Sequence, residues 1–315
     1  MKVLIFGSGV IGTIYGYILA KAGNDITHYV RSGKVESLEK GIKLDLIDGR
    51  YPRKTVNINE TYKLKVTDSF PNLDDFDLVI VSVRHYQLKS VLPLLAENSG
   101  KADILFFNHT WVDLESIERY IPRQKYLLGF PGAGGGFDKK EDKVLNGALM
   151  DQVYLGEVDG KSTQRLEKVS NMFNQANIKT DIQKNILHWL WAHFAINAGL
   201  GSAILKSGDS LEFMKSISKI REGVLCAQDA FEVCKSRGVD VKALSNAKPF
   251  FLPSWLVAFS FWILLKVNKP QRRIFEYYDG SEEVKKIYDD LTQTAEKYKI
   301  NMPYFLKFKE SIVQK

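Results

Sequence analysis

The sequence predicts an α/β fold, with a doubly wound N-terminal domain followed by an all-α C-terminal domain. Three observations carry this. Short apolar runs alternate with helical patterns through the first 180 or so residues. A glycine-rich turn joins the first run to the first helix. From about Asn185 onward the strand signal disappears and every periodic segment is helical.

Lys2–Phe6 (KVLIF) is a compact apolar strand, and Val10–Ala22 follows as a helix with small residues on one side. Asp25–Val30 is a second strand. Asp77–Val83 and Asp103–Phe107 are continuous apolar strands, the pattern of a parallel sheet covered on both faces, with Gln87–Asn98 as the crossover helix between them. Tyr126–Phe130 and Val153–Leu155 are further strands, and Thr163–Ala176 is a helix. The glycine-rich segment 131–136 between them reads as a loop, either approaching a ligand closely or serving as a flexible connection. Leu187–Ala203, Leu211–Arg237, Trp255–Val267 and Ser281–Tyr298 then read as helices, interrupted at Gly208, Gly238, Pro249, Pro253, Pro270 and Pro303. The division is therefore residues 1–180 and 181–315.

Composition excludes several classes. The 315 residues suit two domains, and 45% hydrophobic content is too apolar for a disordered chain. Lys and Arg number 44 against 37 Asp and Glu, a net charge of 44 − 37 = +7. The basic residues are spread along the chain without an aromatic-interleaved cluster, which argues against a nucleic-acid partner. Leu256–Leu265 is apolar apart from Ser260 but far short of the roughly 20 residues a membrane span requires, so it reads as a buried helix or a subunit contact. Cys226 and Cys234 lie in one predicted helix, too far apart to pair, and with no Cys/His cluster present the expectation is a metal-free cytoplasmic protein with reduced thiols.

Gly7-Ser8-Gly9-Val10-Ile11-Gly12 is a G-x-G-x-x-G placed directly after a strand and opening a helix. Gly7 permits the tight turn, Gly9 lets the backbone approach a pyrophosphate, and Gly12 lets helix and strand pack closely. The helix N-terminus offers N–H groups and positive dipole to the phosphates. This is the fingerprint of a Rossmann-type dinucleotide site. The second strand ends in Arg31-Ser32-Gly33-Lys34, without the acid that would hold a ribose 2′-hydroxyl. Arg31 suits a 2′-phosphate, so the cofactor expected is NADP(H). In the helical half, His193 and Asn197 are four residues apart and share a helix face. Such a pair suits ketone reduction, which needs a proton donor beside the developing alkoxide; a lone histidine on an apolar helix is more often a satisfied core residue.

With these motifs in hand, the chain resembles the ketopantoate reductase (2-dehydropantoate 2-reductase) family over nearly its full length. The resemblance rests on Gly7–Gly12 and Arg31, on Val83-Arg84-His85-Tyr86-Gln87 and on the helix from Trp191 to Asn197. It implies an NADPH-binding Rossmann domain, a helical substrate and dimerisation domain, a small anionic 2-oxo acid as substrate, and a homodimer, with a monomer left open. By position, the family's catalytic lysine is His193 here, its following asparagine is Asn197, and its next asparagine falls on Gly201. Its strand-end asparagine falls in Phe107-Asn108-His109-Thr110, so Asn108 or His109 takes that place. Its C-terminal substrate-binding glutamate corresponds to Glu276 or Glu282, and Arg84 and Gln87 join the cofactor set. The lysine-to-histidine change leaves two alternatives beside ketopantoate reduction: a related NADP-dependent dehydrogenase of another hydroxy or amino acid, or a non-catalytic NADPH-binding protein.

Overall fold

A computed structural model describes residues 1–51, 54, 56–98, 100–141, 143–278, 280–309 and 312. In chain order the elements are β1 (Lys2–Phe6), α1 (Val10–Lys21), β2 (Asp25–Tyr29), α2 (Val35–Leu38), β3 (Ile42–Asp48), β4 (Val56–Tyr62), β5 (Val66–Thr67), β6 (Leu78–Val81), α3 (Leu88–Glu97), β7 (Asp103–Phe107), α4 (Leu114–Glu118) and β8 (Tyr126–Phe130). There follow β9 (Ala133–Phe137), β10 (Val144–Leu149), β11 (Gln152–Gly156), α5 (Gln164–Gln175), β12 (Lys179–Ile182), α6 (Ile186–Ser207), α7 (Ser210–Lys215), α8 (Ile217–Ser236), α9 (Ser254–Val267), α10 (Lys269–Glu276) and α11 (Ser281–Tyr298). The chain divides into two units: residues 1–108 with 112–186, and residues 109–111 with 187–315.

The first unit is built on an eight-stranded sheet of order β12-β11-β8-β7-β6-β1-β2-β5, parallel except where β11 meets β8. The apolar runs read as continuous in the sequence are its centre: Val3, Leu4, Ile5, Leu78, Val79, Ile80, Leu105 and Phe106 are all buried, as strands covered on both faces require. The chain leaves β1 toward β2 on one side and later returns to β6 on the other. The carboxyl ends of β1 and β6 therefore form the switch point at which doubly wound sheets bind ligands.

A second sheet, of order β4-β3-β10-β9, is absent from the sequence reading. Its β3 strand alternates cleanly, with Ile42, Leu44 and Leu46 buried and Lys43 exposed. The segment read as a glycine-rich loop is its strand β9, paired antiparallel with β10. A Cβ at Gly135 or Gly147 would collide with the backbone of the facing strand, and Gly135 holds φ +149°. Gly132 donates its N–H to Tyr15 Oη on α1 at 3.0 Å. These glycines allow close strand pairing, which a reading based on β-propensity misses.

In the second unit, the helix expected over Leu211–Arg237 is two helices. Asp209 caps α7, accepting from Glu212 N at 2.8 Å, and Ser216 ends it and caps α8, accepting from Lys219 N at 3.3 Å. The apolar stretch at 256–265 forms the middle of α9. Val257, Ala258 and Leu265 are buried, while Trp255, Phe259, Ile263 and Val267 line an exposed stripe. No helix among the described residues is long and apolar enough to cross a membrane.

Candidate functional site

The phosphate motif sits where the sequence places it. Gly7 turns at φ +108°, a conformation only glycine adopts cheaply, and its N–H donates to Tyr29 O at 2.9 Å. The position beside Gly9 is open, and no side chain caps the helix that Gly9 begins. A Cβ at Gly12 would lie 2.9 Å from Gly7 O and 3.1 Å from the Ile5 side chain, so this glycine lets α1 pack onto β1. Val10 and Ile11 form the first turn, and Ser8 O accepts from the Thr13 hydroxyl at 3.1 Å. An uncapped helix start behind an open glycine turn is a fit for a dinucleotide pyrophosphate. Arg31, Ser32 and Lys34 are exposed just past the end of β2, the neighbour of β1, which suits a 2′-phosphate.

Beneath the turn lies a residue that the sequence reading did not single out. His28 is buried on β2, with Nδ1 3.0 Å from Gly7 O and Nε2 3.1 Å from the Tyr62 hydroxyl. A carbonyl only accepts, so Nδ1–H donates to Gly7 and Tyr62 donates to Nε2. Burial lowers the His28 pKa from 6.5 to about 4, so the ring is neutral. Gly16 on α1 makes room for it: a Cβ there would overlap the imidazole.

The other strand ends carry Arg84, Gln87 and Asn108. Arg84 Nη1 donates to the Tyr86 hydroxyl at 3.0 Å, and its backbone N–H donates to Gln87 Oε1 at 3.3 Å. Asn108, buried at the end of β7, donates Nδ2–H to Val83 O at 2.8 Å and so ties β7 to the segment after β6. The structure separates the two strand-end candidates: Asn108 belongs to the first unit, and His109 to the second.

In the second unit, residues 109–111 are held by the helices. Trp111 Nε1 donates to Thr294 Oγ1 at 2.9 Å and stacks on Phe194 at 4.8 Å, and Arg237 donates to Trp111 O at 2.9 Å. His109 thereby meets α6 and α11. Its Nε2 is 2.8 Å from Asn197 Nδ2, and its Nδ1 is 3.2 Å from Glu283 Oε1. His193 is the middle ring of a stack, 5.1 Å from Trp189 and 5.9 Å from His109 between centroids. Burial first, then the neighbouring His109, lowers the His193 pKa to about 3.

The structure thus brings His109, His193 and Asn197 together, and the carboxylate that meets His109 is Glu283. Glu276 ends α10 and pairs with Arg272 Nε at 2.7 Å. Glu282 is exposed on the first turn of α11, on the same stripe as the exposed Lys286 and Asp289. Glu283 falls one position on, in line with the buried Ile287 and Leu291, and so faces inward. The helical period of the buried positions was the signal that distinguishes the two glutamates.

The comparisons agree with this architecture. The family model "Ketopantoate reductase PanE/ApbA" matches residues 3–160, about half of the chain. This chain belongs to the ketopantoate reductase family. A 2-dehydropantoate 2-reductase of Pyrococcus abyssi is 29% identical over 266 residues, covering 80% of this chain and 77% of the relative. Among solved structures, a D-mandelate dehydrogenase with NADH and anilino(oxo)acetate superposes with TM-score 0.76 at 15% identity, covering 100% of this chain and 97% of the other. A dimeric ketopantoate reductase from Staphylococcus aureus superposes with TM-score 0.62 at 16% identity over 100% of both chains. At these identities the structural likenesses speak to the fold.

Proposed function

We propose that this ketopantoate reductase family member catalyses NADPH-dependent reduction of a small 2-oxo acid, ketopantoate to pantoate. The observation that carries the cofactor half is the uncapped start of α1 behind the open Gly9 turn, with Arg31 on the neighbouring strand end. Residues Gly7 to Gly12 would hold the pyrophosphate through backbone N–H groups, and Arg31 the 2′-phosphate. When bound, NADPH supplies the hydride. Arg84 supplies positive charge for a cofactor phosphate or the substrate carboxylate, and Asn108 fixes the β6 and β7 strand ends. The helical unit contributes the polar group of His109, Asn197 and Glu283, where a developing alkoxide is met by donors. On this reading residues 1–180 bind cofactor, and 181–315 bind substrate and pair subunits.

The test is calorimetric titration with NADPH, followed by NADPH oxidation assays with ketopantoate and a panel of 2-oxo acids. Loss of absorbance at 340 nm with ketopantoate fastest is the expected result, and no NADPH binding rejects the reading. A second reading, a dehydrogenase of another 2-hydroxy acid, is favoured by His193 in place of the family's lysine and by the likeness to a D-mandelate dehydrogenase. A bulkier aryl 2-oxo acid outrunning ketopantoate in the same panel would select it.

The exposed stripe of α9 supports a homodimer, as does the dimeric relative. Cys226 and Cys234, both buried and unlinked, suit a reducing cytoplasm.

A further inference from the structure

Two imidazoles meet beside Asn197, and their surroundings suit them to different tasks. His193 is half-buried and lies between the flat faces of Trp189 and His109. Desolvation, and then the neighbouring His109, hold its pKa below the ordinary 6.5. His109 has a hydrogen-bonding partner at each nitrogen. An ionised carboxylate only accepts, so the 3.2 Å contact with Glu283 makes Nδ1 a donor and leaves Nε2 facing Asn197. Asn197, 2.8 Å from Nε2, serves both states: Nδ2–H donates to the neutral ring, and the amide turned over accepts from Nε2–H of the charged ring. The groups facing His109 include Glu283 from α11 and His193, Phe194 and Asn197 from α6. The side chains of His109 and Glu283 are 18% and 15% exposed.

We propose that His109, its Nδ1–H held by Glu283 and its Nε2 carrying the second proton of the charged ring, is the proton donor of this enzyme. The proposal rests on the 2-oxo acid reductase reading. As the keto carbon accepts the hydride, a C–H bond forms and the carbonyl π pair moves onto oxygen. The Nε2–H bond of His109 breaks, its electron pair stays on the ring, and the O–H bond of the alcohol forms. The ring ends neutral and regains its proton from water; NADPH, when bound, would supply the hydride and be the group oxidised. Asn197 Nδ2 lies 2.8 Å from Nε2, so an alkoxide oxygen seated between them accepts from both.

The test uses the full chain. His109→Ala is expected to lower kcat by roughly 100-fold or more, the ordinary worth of a general acid, with the NADPH dissociation constant unchanged. Imidazole added to the buffer restores part of that kcat by filling the space left. His109→Gln, which keeps the bulk and stability, loses kcat equally and is not rescued. A second readout needs no activity: long-range proton–nitrogen NMR of ligand-free, histidine-labelled protein shows His109 as the Nδ1–H tautomer, and Glu283→Ala, which removes the acceptor, abolishes that preference. The donor assignment is overturned if His109→Ala keeps its kcat, or if the loss and the imidazole rescue follow His193→Ala instead. A wild type that turns over no 2-oxo acid overturns the reductase reading and the donor with it. Turnover in the wild type with kcat retained in His109→Ala overturns the donor alone.

Discussion

Val284 packs directly on Gly201: a Cβ on that glycine would stand 2.8 Å from Val284 Cγ2. The glycine occupies the place of a family asparagine, and its bareness lets the first turn of α11 settle on α6. Glu283, the residue before Val284, is thereby carried to within hydrogen-bond reach of His109. A polar residue lost from one helix and a carboxylate placed from another are two sides of one packing arrangement.

Gly201→Asn is therefore expected to push α11 outward and cost about 1–3 kcal/mol in overpacking. Thermal melting would show the loss of stability. Steady-state kinetics would show kcat falling more than NADPH affinity, because the cofactor turn lies in the other unit. An unchanged kcat would mean that Glu283 keeps its place without this contact.

Arg31 makes a separate prediction about cofactor choice. It is exposed at the end of β2, with Ser32 and Lys34 beside it and no carboxylate there to hold a ribose hydroxyl. Arg31→Ala is expected to raise KM for NADPH by roughly tenfold or more, the worth of a charge-assisted contact, while KM for NADH stays within about twofold. Parallel kinetics with the two cofactors check this, and equal losses for both would remove Arg31 from the 2′-phosphate.

What was legible in the sequence was whatever a short local pattern encodes. The strands Lys2–Phe6 and Asp103–Phe107, the turn from Gly7 to Gly12 and the helix carrying His193 and Asn197 all follow from periodicity and glycine placement. What escaped depends on distant partners. Gly135 in β9 reads as loop because the reason for the glycine, the backbone of β10, is a neighbouring strand in space. His28 reads as an ordinary strand residue because Gly7 and Tyr62 are needed to give it a role. Glu283 went unread because its partner, His109, lies far away in the sequence, although the burial period of α11 turns it inward.

β9 offers a direct check of that explanation. Gly135→Ala adds a methyl group where the facing backbone leaves no room and where φ is +149°. It is expected to destabilise the first unit by about 2–4 kcal/mol. Urea unfolding would show the midpoint falling, and a loss below about 0.5 kcal/mol would contradict the close pairing of β9 with β10.

His28 couples the cofactor turn to pH. Its folded pKa of about 4 lies below the ordinary value of 6.5, so the unfolded chain takes up a proton first as pH falls. Its contribution is fully present above pH 6.5 and is lost on descending toward pH 4, amounting to about 3 kcal/mol across the window. Urea titrations at pH 7 and pH 5 are expected to show lower stability at pH 5. His28→Gln removes this residue's share of that difference, and it weakens NADPH binding at pH 7 because Gly7 O loses its ring donor. A variant with the wild-type pH difference and wild-type NADPH affinity would show that Gly7 holds its turn without the ring.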